Sequence, residues 1–133
     1  VSQLLARSLT GYEDFPPVVK TDRAGVWLAA WATFDSLGGT VGTDSDIVVA
    51  RSTDNGATWS APLAIDPGAV SDTGADAKVN LAYGDGVFVA MWQSFDGVVD
   101  EIKWSRSADG GLGWSAPQAF GLSGSDDTRP SLA

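Results

Sequence analysis

Acid–base chemistry in this sequence rests on carboxylates, tyrosines and cations, because it contains no histidine and no cysteine. That removes the imidazole base, the Ser-His-Asp arrangement, His-ligated metals, disulfides and thiolate nucleophiles. Of the 17 acidic residues, 15 are aspartate, and only Glu13 and Glu101 are glutamate. Asp35 and Asp44 share one polar stretch, and Arg129 sits next to Pro130. Asp44-Ser45-Asp46, Asp72 with Asp76, and Asp126-Asp127 place hard oxygen ligands close together, a chemistry suited to Ca²⁺. None follows the EF-hand or nonapeptide spacing. They read as solvated turn acids, and no metal or other cofactor is expected. Tyr12-Glu13 is the one adjacent Tyr/Glu pair. Strand neighbours point to opposite faces, so this pair reads as a loop. The six tryptophans could stack on sugar rings if exposed. Trp27, Trp31, Trp92 and Trp104 fall in apolar strand patterns, where core packing is the default.

The elements that position these groups must come from one domain, since the chain has 133 residues and a mass of 13.8 kDa. Apolar residues make up 44% and charged residues 19%, and mean hydropathy is +0.01, enough apolar content for a core. Net charge is −9 and pI about 4.1, which leaves no electrostatic footprint for nucleic acid or an anionic membrane. No run approaches the roughly 18 apolar residues of a membrane span. Sixteen glycines, six prolines and the excess of aspartate over glutamate describe a turn-rich, all-β chain. An acidic, cysteine-free, turn-rich composition fits a secreted or extracellular protein.

The organisation follows from an internal repeat. Ser52-Thr-Asp-Asn-Gly-Ala-Thr-Trp59 recurs 55 residues later as Ser107-Ala-Asp-Gly-Gly-Leu-Gly-Trp114. The preceding stretch from Val18 to Trp31 matches Val79 to Trp92 at a spacing of 61. The six extra residues lie in the longer loop Asp35–Ser45. Each unit reads as four strands. In the second they are Lys78–Tyr83, Val87–Gln93, Glu101–Ser107 and Trp114–Phe120, separated by Gly/Asp turns. Val87, Val89 and Met91 alternate with Phe88, Ala90 and Trp92, so both faces of that strand are apolar and both are expected to be buried. A four-stranded unit repeated at about 50 residues fits a β-propeller blade. A two-sheet sandwich is the alternative, but it gives no reason for an internal repeat. The expected layout within 1–133 is an outer strand of a preceding blade at 1–9, blades at 15–66 and 76–121, and the first strand of a following blade at 128–133.

The repeated Ser-x-Asp-x-Gly-x-x-Trp has local mechanics. Ser and Asp oxygens accept from turn N–H groups, glycine supplies positive φ, and the Trp ring covers the turn. This motif resembles the Asp-box, or bacterial neuraminidase repeat, of sialidase-like propellers. The resemblance implies that Ser52, Asp54, Gly56, Trp59, Ser107, Asp109, Gly111 and Trp114 are structural, because the Asp-box lies at the propeller periphery. It also implies an acid/base aspartate in the loop between strands two and three, where Asp35 and Asp44 stand. Arg129-Pro130 partly matches an arginine that begins a blade in that family. Other parts of the family pattern are missing. No arginine follows Trp31-Ala32-Thr33-Phe34, and the first blade opens Asp14-Phe15-Pro16-Pro17 without one.

The resemblance implies retaining glycoside hydrolysis, using an arginine cluster for the substrate carboxylate, a Tyr nucleophile with a Glu partner, and the Asp acid/base. The incomplete set makes hydrolysis by this chain alone unexpected. A non-catalytic repeat scaffold that presents loops to a glycan or protein is the alternative. Two blades do not close a ring of about four to eight. Either the chain is a segment of a longer propeller, or copies assemble head to tail, three chains giving six blades.

Overall fold

The computed structural model describes residues 16–39, 41–71, 74–95 and 97–120. The expected strands at 1–9 and 128–133, and Tyr12, Glu13, Asp72, Asp126, Asp127 and Arg129, lie outside these residues.

The described residues form eight strands and no helix: β1 (Val18–Thr21), β2 (Trp27–Thr33), β3 (Asp46–Ser52), β4 (Leu63–Ala64), β5 (Ala75–Gly84), β6 (Val87–Phe95), β7 (Asp100–Ser107) and β8 (Gln118–Ala119). They make two four-stranded antiparallel sheets, ordered β1-β2-β3-β4 and β5-β6-β7-β8. Each sheet is a simple meander, as expected where every connection carries its own turn residues. The outermost strands are shorter than the sequence pattern predicts. β8 covers Gln118–Ala119 rather than Trp114–Phe120, and β4 begins at Leu63. Trp59 and Trp114 therefore belong to the turns and do not lead strand four. The intervening Pro62 and Pro117 lack the N–H that a longer ladder needs.

The first strands also slip by one residue relative to the sequence match. Val18 pairs with Ala30, whereas Asn80 pairs with Met91, so Val19 is the counterpart of Leu81. The turn Asp22–Val26 is longer than Asp85-Gly86, and β5 carries a bulge between Ala77 and Asn80, with Lys78 at φ 56°.

The sheets pack face to face. Leu28, Ala30, Ala32, Ile47, Val49 and Ile65 of the first meet Val79, Leu81, Phe88, Ala90 and Trp92 of the second in one buried cluster. β5 is the strand of the second sheet that meets β1, β2 and β3. By repeat position the contacting faces are opposite. Leu28 corresponds to Val89, which points away from the seam, while Trp31 corresponds to Trp92, which lies in it. One face of unit 1 thus packs on the other face of unit 2, a head-to-tail relation.

The two sheets differ in how much they bury. β2 is buried on both faces, because Leu37, Val41, Trp59 and Ala69 cover Ala29, Trp31, Val48 and Ala50. β6 is buried on one face only, and Val87, Val89, Met91 and Gln93 remain half-buried. The expectation of a β6 strand buried on both sides is corrected here. Its apolar alternation is real, but no described element covers the outer face.

Candidate functional site

Two places gather polar side chains: the end of the sheets where β2 passes to β3, and the seam where the second motif turn meets the first sheet.

At the first, the loop 34–45 carries both candidate aspartates. Asp35 is buried, and its use is local. Its N–H donates to Thr33 Oγ1 (3.0 Å), and its Oδ1 accepts from the Leu37 N–H (2.9 Å), an Asx turn that opens the loop. Asp44 is half-buried, and its Oδ2 is removed from solvent with no hydrogen-bond partner. Gly42 makes room for it, since a Cβ there would stand 2.6 Å from Asp44 Oδ1. Beside it the Gly42 N–H donates to Asp46 Oδ2 (3.3 Å). The loop is then tied to the second unit. The Asp76 N–H donates to the Ser45 carbonyl (2.7 Å), and Ser45 Oγ donates to the Asp76 carbonyl. Asp46 and Asp76 are buried, as are Thr33 and Ser94, the residues opposite them in the ladders. Asp35, Asp44, Asp46 and Asp76 are thus brought to one end of the molecule.

Arginine is elsewhere. Arg23 lies in the β1–β2 turn at the opposite end, and Arg51 and Arg106 lie on sheet faces beside the motif turns. Among the described residues no arginine stands at the acidic end, and no group of three or more acidic side chains could hold a metal ion.

The motif turns work through the groups that the sequence singled out. In the first, Ser52 Oγ accepts from the Gly56 N–H (2.8 Å) and donates to Asp54 Oδ1 (2.8 Å). Asp54 also accepts from the Thr58 N–H (2.8 Å) and the Thr58 hydroxyl (2.5 Å). The Thr58 hydroxyl first, then its N–H and Ser52, hold the Asp54 carboxyl down from 3.8 to about 2. Trp59 Nε1 donates to the Gly56 carbonyl (3.1 Å), so the ring closes over its own turn. The second turn repeats the Ser–Asp core. Gly111 N–H donates to Ser107 Oγ (2.9 Å), Ser107 Oγ to Asp109 Oδ1 (2.8 Å), and Gly113 N–H to Asp109 Oδ1 (2.8 Å). The Gly113 N–H, then Ser107, lower the Asp109 carboxyl.

At the seam, Arg51 Nε donates to the Gly110 carbonyl (2.6 Å), and Leu28 lies against Gly111. A cleft of about 390 Å³ opens beside this contact, lined by Arg51, Thr53, Thr58, Trp59, Leu63 and Leu112 among others. Sequence reasoning missed both the Arg51–Gly110 contact and the Ser45–Asp76 tie. A signal for the first was present: Arg51 and Arg106 occupy the same repeat position, one residue before each motif.

No protein-family model matches the chain, and no curated protein matches it in sequence. In three dimensions it is similar to a solved structure described as "Hadza microbial sialidase Hz136", with a TM-score of 0.65 and 17% sequence identity. The match covers 80% of this chain and 26% of that one. The chain therefore has a sialidase-like, all-β fold.

Proposed function

We propose that the two sheets are successive Asp-box blades of a sialidase-like propeller, and that the acidic loop end is its glycan-facing side. The observation that carries this reading is Asp44. It stands in the loop between strands two and three, with one carboxylate oxygen sequestered from water and from hydrogen bonds. Asp35, in contrast, is spent on holding its loop. In retaining glycoside hydrolysis a carboxyl beside the leaving-group oxygen serves as acid and then as base. Asp46 and Asp76 also carry buried carboxylate oxygens but are almost wholly enclosed, so Asp44, half-buried in the loop, is the carboxylate of this end suited to that task. Support for blades comes from the meander order of each sheet and the head-to-tail packing of equivalent units.

The chain alone does not complete the chemistry. A substrate carboxylate calls for a bidentate arginine fork, and the described arginines stand away from Asp44. Four aspartates at one end of a chain of net charge −9 repel an anionic sugar instead. This favours recognition without turnover by this chain. The test is an NMR titration with a sialylated trisaccharide and its desialylated form, alongside a fluorogenic sialoside assay. The expected result is shifts at Gly42, Asp44 and Ser45 that are no weaker for the neutral sugar, and no turnover. Shifts confined to the seam cleft, or none, would sink the reading, and turnover would overturn its non-catalytic part.

A further inference from the structure

Parts of both halves of the seam joining the two units are repeated on the outer faces, with no partner among the described residues. On the outer face of the second sheet, Arg106 occupies the position of Arg51, and Val89 that of Leu28. Arg51 Nε donates to the Gly110 carbonyl, whereas Arg106 is exposed and its guanidinium makes no hydrogen bond among the described residues. Leu28 is fully buried and Val89 half-exposed. Ile65 is 1% exposed, and Phe120, its counterpart, is 51% exposed.

On the first unit the receiving half is open at its motif turn and along β1. Asn55 is the counterpart of Gly110. It is exposed, and its carbonyl accepts no hydrogen bond among the described residues. At Gly56, the counterpart of Gly111, a Cβ would meet only the Trp59 ring of the same turn, at 3.7 Å. Val19 is 49% exposed, while its counterpart Leu81 is 5% exposed within the seam.

We infer that the chain associates head to tail with a second copy of itself. Arg106 of one copy donates to the Asn55 carbonyl of the next, and Val89 seats against the Gly56 turn. The inference goes beyond the glycan reading and stands on the internal repeat alone. The occupant is a second copy because one chain presents both complementary halves, and the bond they would make already exists between its own units. Leu37, Val41, Trp59 and Ala69 cover the middle of the receiving face. The contact therefore runs along β1 and the turn, and its strength depends on concentration. With −9 on each chain, repulsion opposes it, so added salt strengthens it.

The test is light scattering on the 133-residue chain over a range of concentrations and salt, with Arg106→Glu and Ala57→Arg. Both positions are exposed, so neither substitution disturbs the core, and circular dichroism verifies the fold. Ala57 is the counterpart of Leu112, which lines the existing seam cleft. The expected result is a mass that rises above 13.8 kDa with concentration and salt, and that falls to one chain in each variant. Mixing the two variants should restore association, limited to two chains, because each retains the half that the other has lost. A wild-type mass of one chain throughout, variants that keep the wild-type mass, or a mixture that stays monomeric would each overturn the inference.

Discussion

The two copies of the Ser-x-Asp-x-Gly-x-x-Trp turn share a hydrogen-bond core, yet the chain uses them differently. The first is self-contained. Thr58 adds a second bond to Asp54, Trp59 caps its own Gly56, and the exposed Asn55 accepts only from Trp27 Nε1 of its own sheet (3.3 Å). The second is a joint. Its Gly110 carbonyl receives Arg51, its Gly111 is buried against Leu28, and Trp114 packs into the inter-sheet cluster. Identical motif positions thus carry a local load in one unit and a load between units in the other. A motif that stabilises its own hairpin leaves its outer surface available for docking.

The sharpest way to break this comparison is at the two glycines. A Cβ on Gly111 would stand 2.5 Å from Leu28 Cδ2, and its φ is +88°. Gly111→Ala therefore adds overpacking of ~1–3 kcal/mol to the ~1–2 kcal/mol of a left-handed alanine. Gly56, at φ +84°, meets only Trp59 at an ordinary distance, so Gly56→Ala costs the backbone part alone. Chemical denaturation of both variants should show the larger loss at Gly111. Equal losses would mean that the second turn is not under inter-sheet constraint.

A smaller contrast separates the two arginines. Arg51→Ala removes a charged donor from a half-buried carbonyl contact, where such bonds contribute ~1.5–3 kcal/mol, and partial exposure places the loss near the low end. Arg106→Ala removes a solvated side chain and should leave the melting temperature of the isolated chain unchanged at low concentration. If Arg106→Ala destabilised the dilute chain as much as Arg51→Ala, the two units would not differ in the way the geometry requires.

How much of this was legible beforehand depended on whether the cause was local. The four-stranded units, the motif turns and the placing of Asp35 and Asp44 in one loop follow from turn residues and apolar alternation, which act over a few positions. The register of β1 against β5 did not follow. A longer turn at Asp22–Val26 and a bulge at Lys78 shift the pairing by one, and matching residue types along the chain does not reveal a shift in pairing. The roles of the two candidate aspartates were equally hidden. Both are loop carboxylates in sequence. Only the fold shows that Asp35 accepts from its own loop, while Asp44 keeps an oxygen sequestered beside Gly42. The outer face of β6 was misjudged for a related reason: apolar alternation tells which faces can be buried, not whether a partner is present.

The smallest contrast is in acid. Both motif aspartates have lowered carboxyls and a serine hydroxyl donor, but Asp54 alone has a second hydroxyl donor, Thr58, and it is held at about 2. A depressed folded pKa means that the ionised form favours the fold. Its stabilisation is complete above about 3.8 and drains away as pH falls toward about 2. Both carboxylates are fully exposed, so the amplitude is small, and the window is the informative quantity. Thr58→Gly gives the first turn the residue that the second has at Gly113 and removes the Thr58 hydroxyl while leaving that of Ser52. The Asp54 titration, followed by carboxyl NMR, should then move up from about 2 toward the ordinary carboxylate value. The acid-side loss of stability should shift to higher pH with it, since protonation begins sooner. Asp54→Asn should abolish this part of the pH dependence and lower stability near neutrality without selectively removing glycan binding, because the turn lies at the end opposite Asp44. A selective loss of binding with an unchanged melting temperature would place the turn in a binding site and end its purely structural reading.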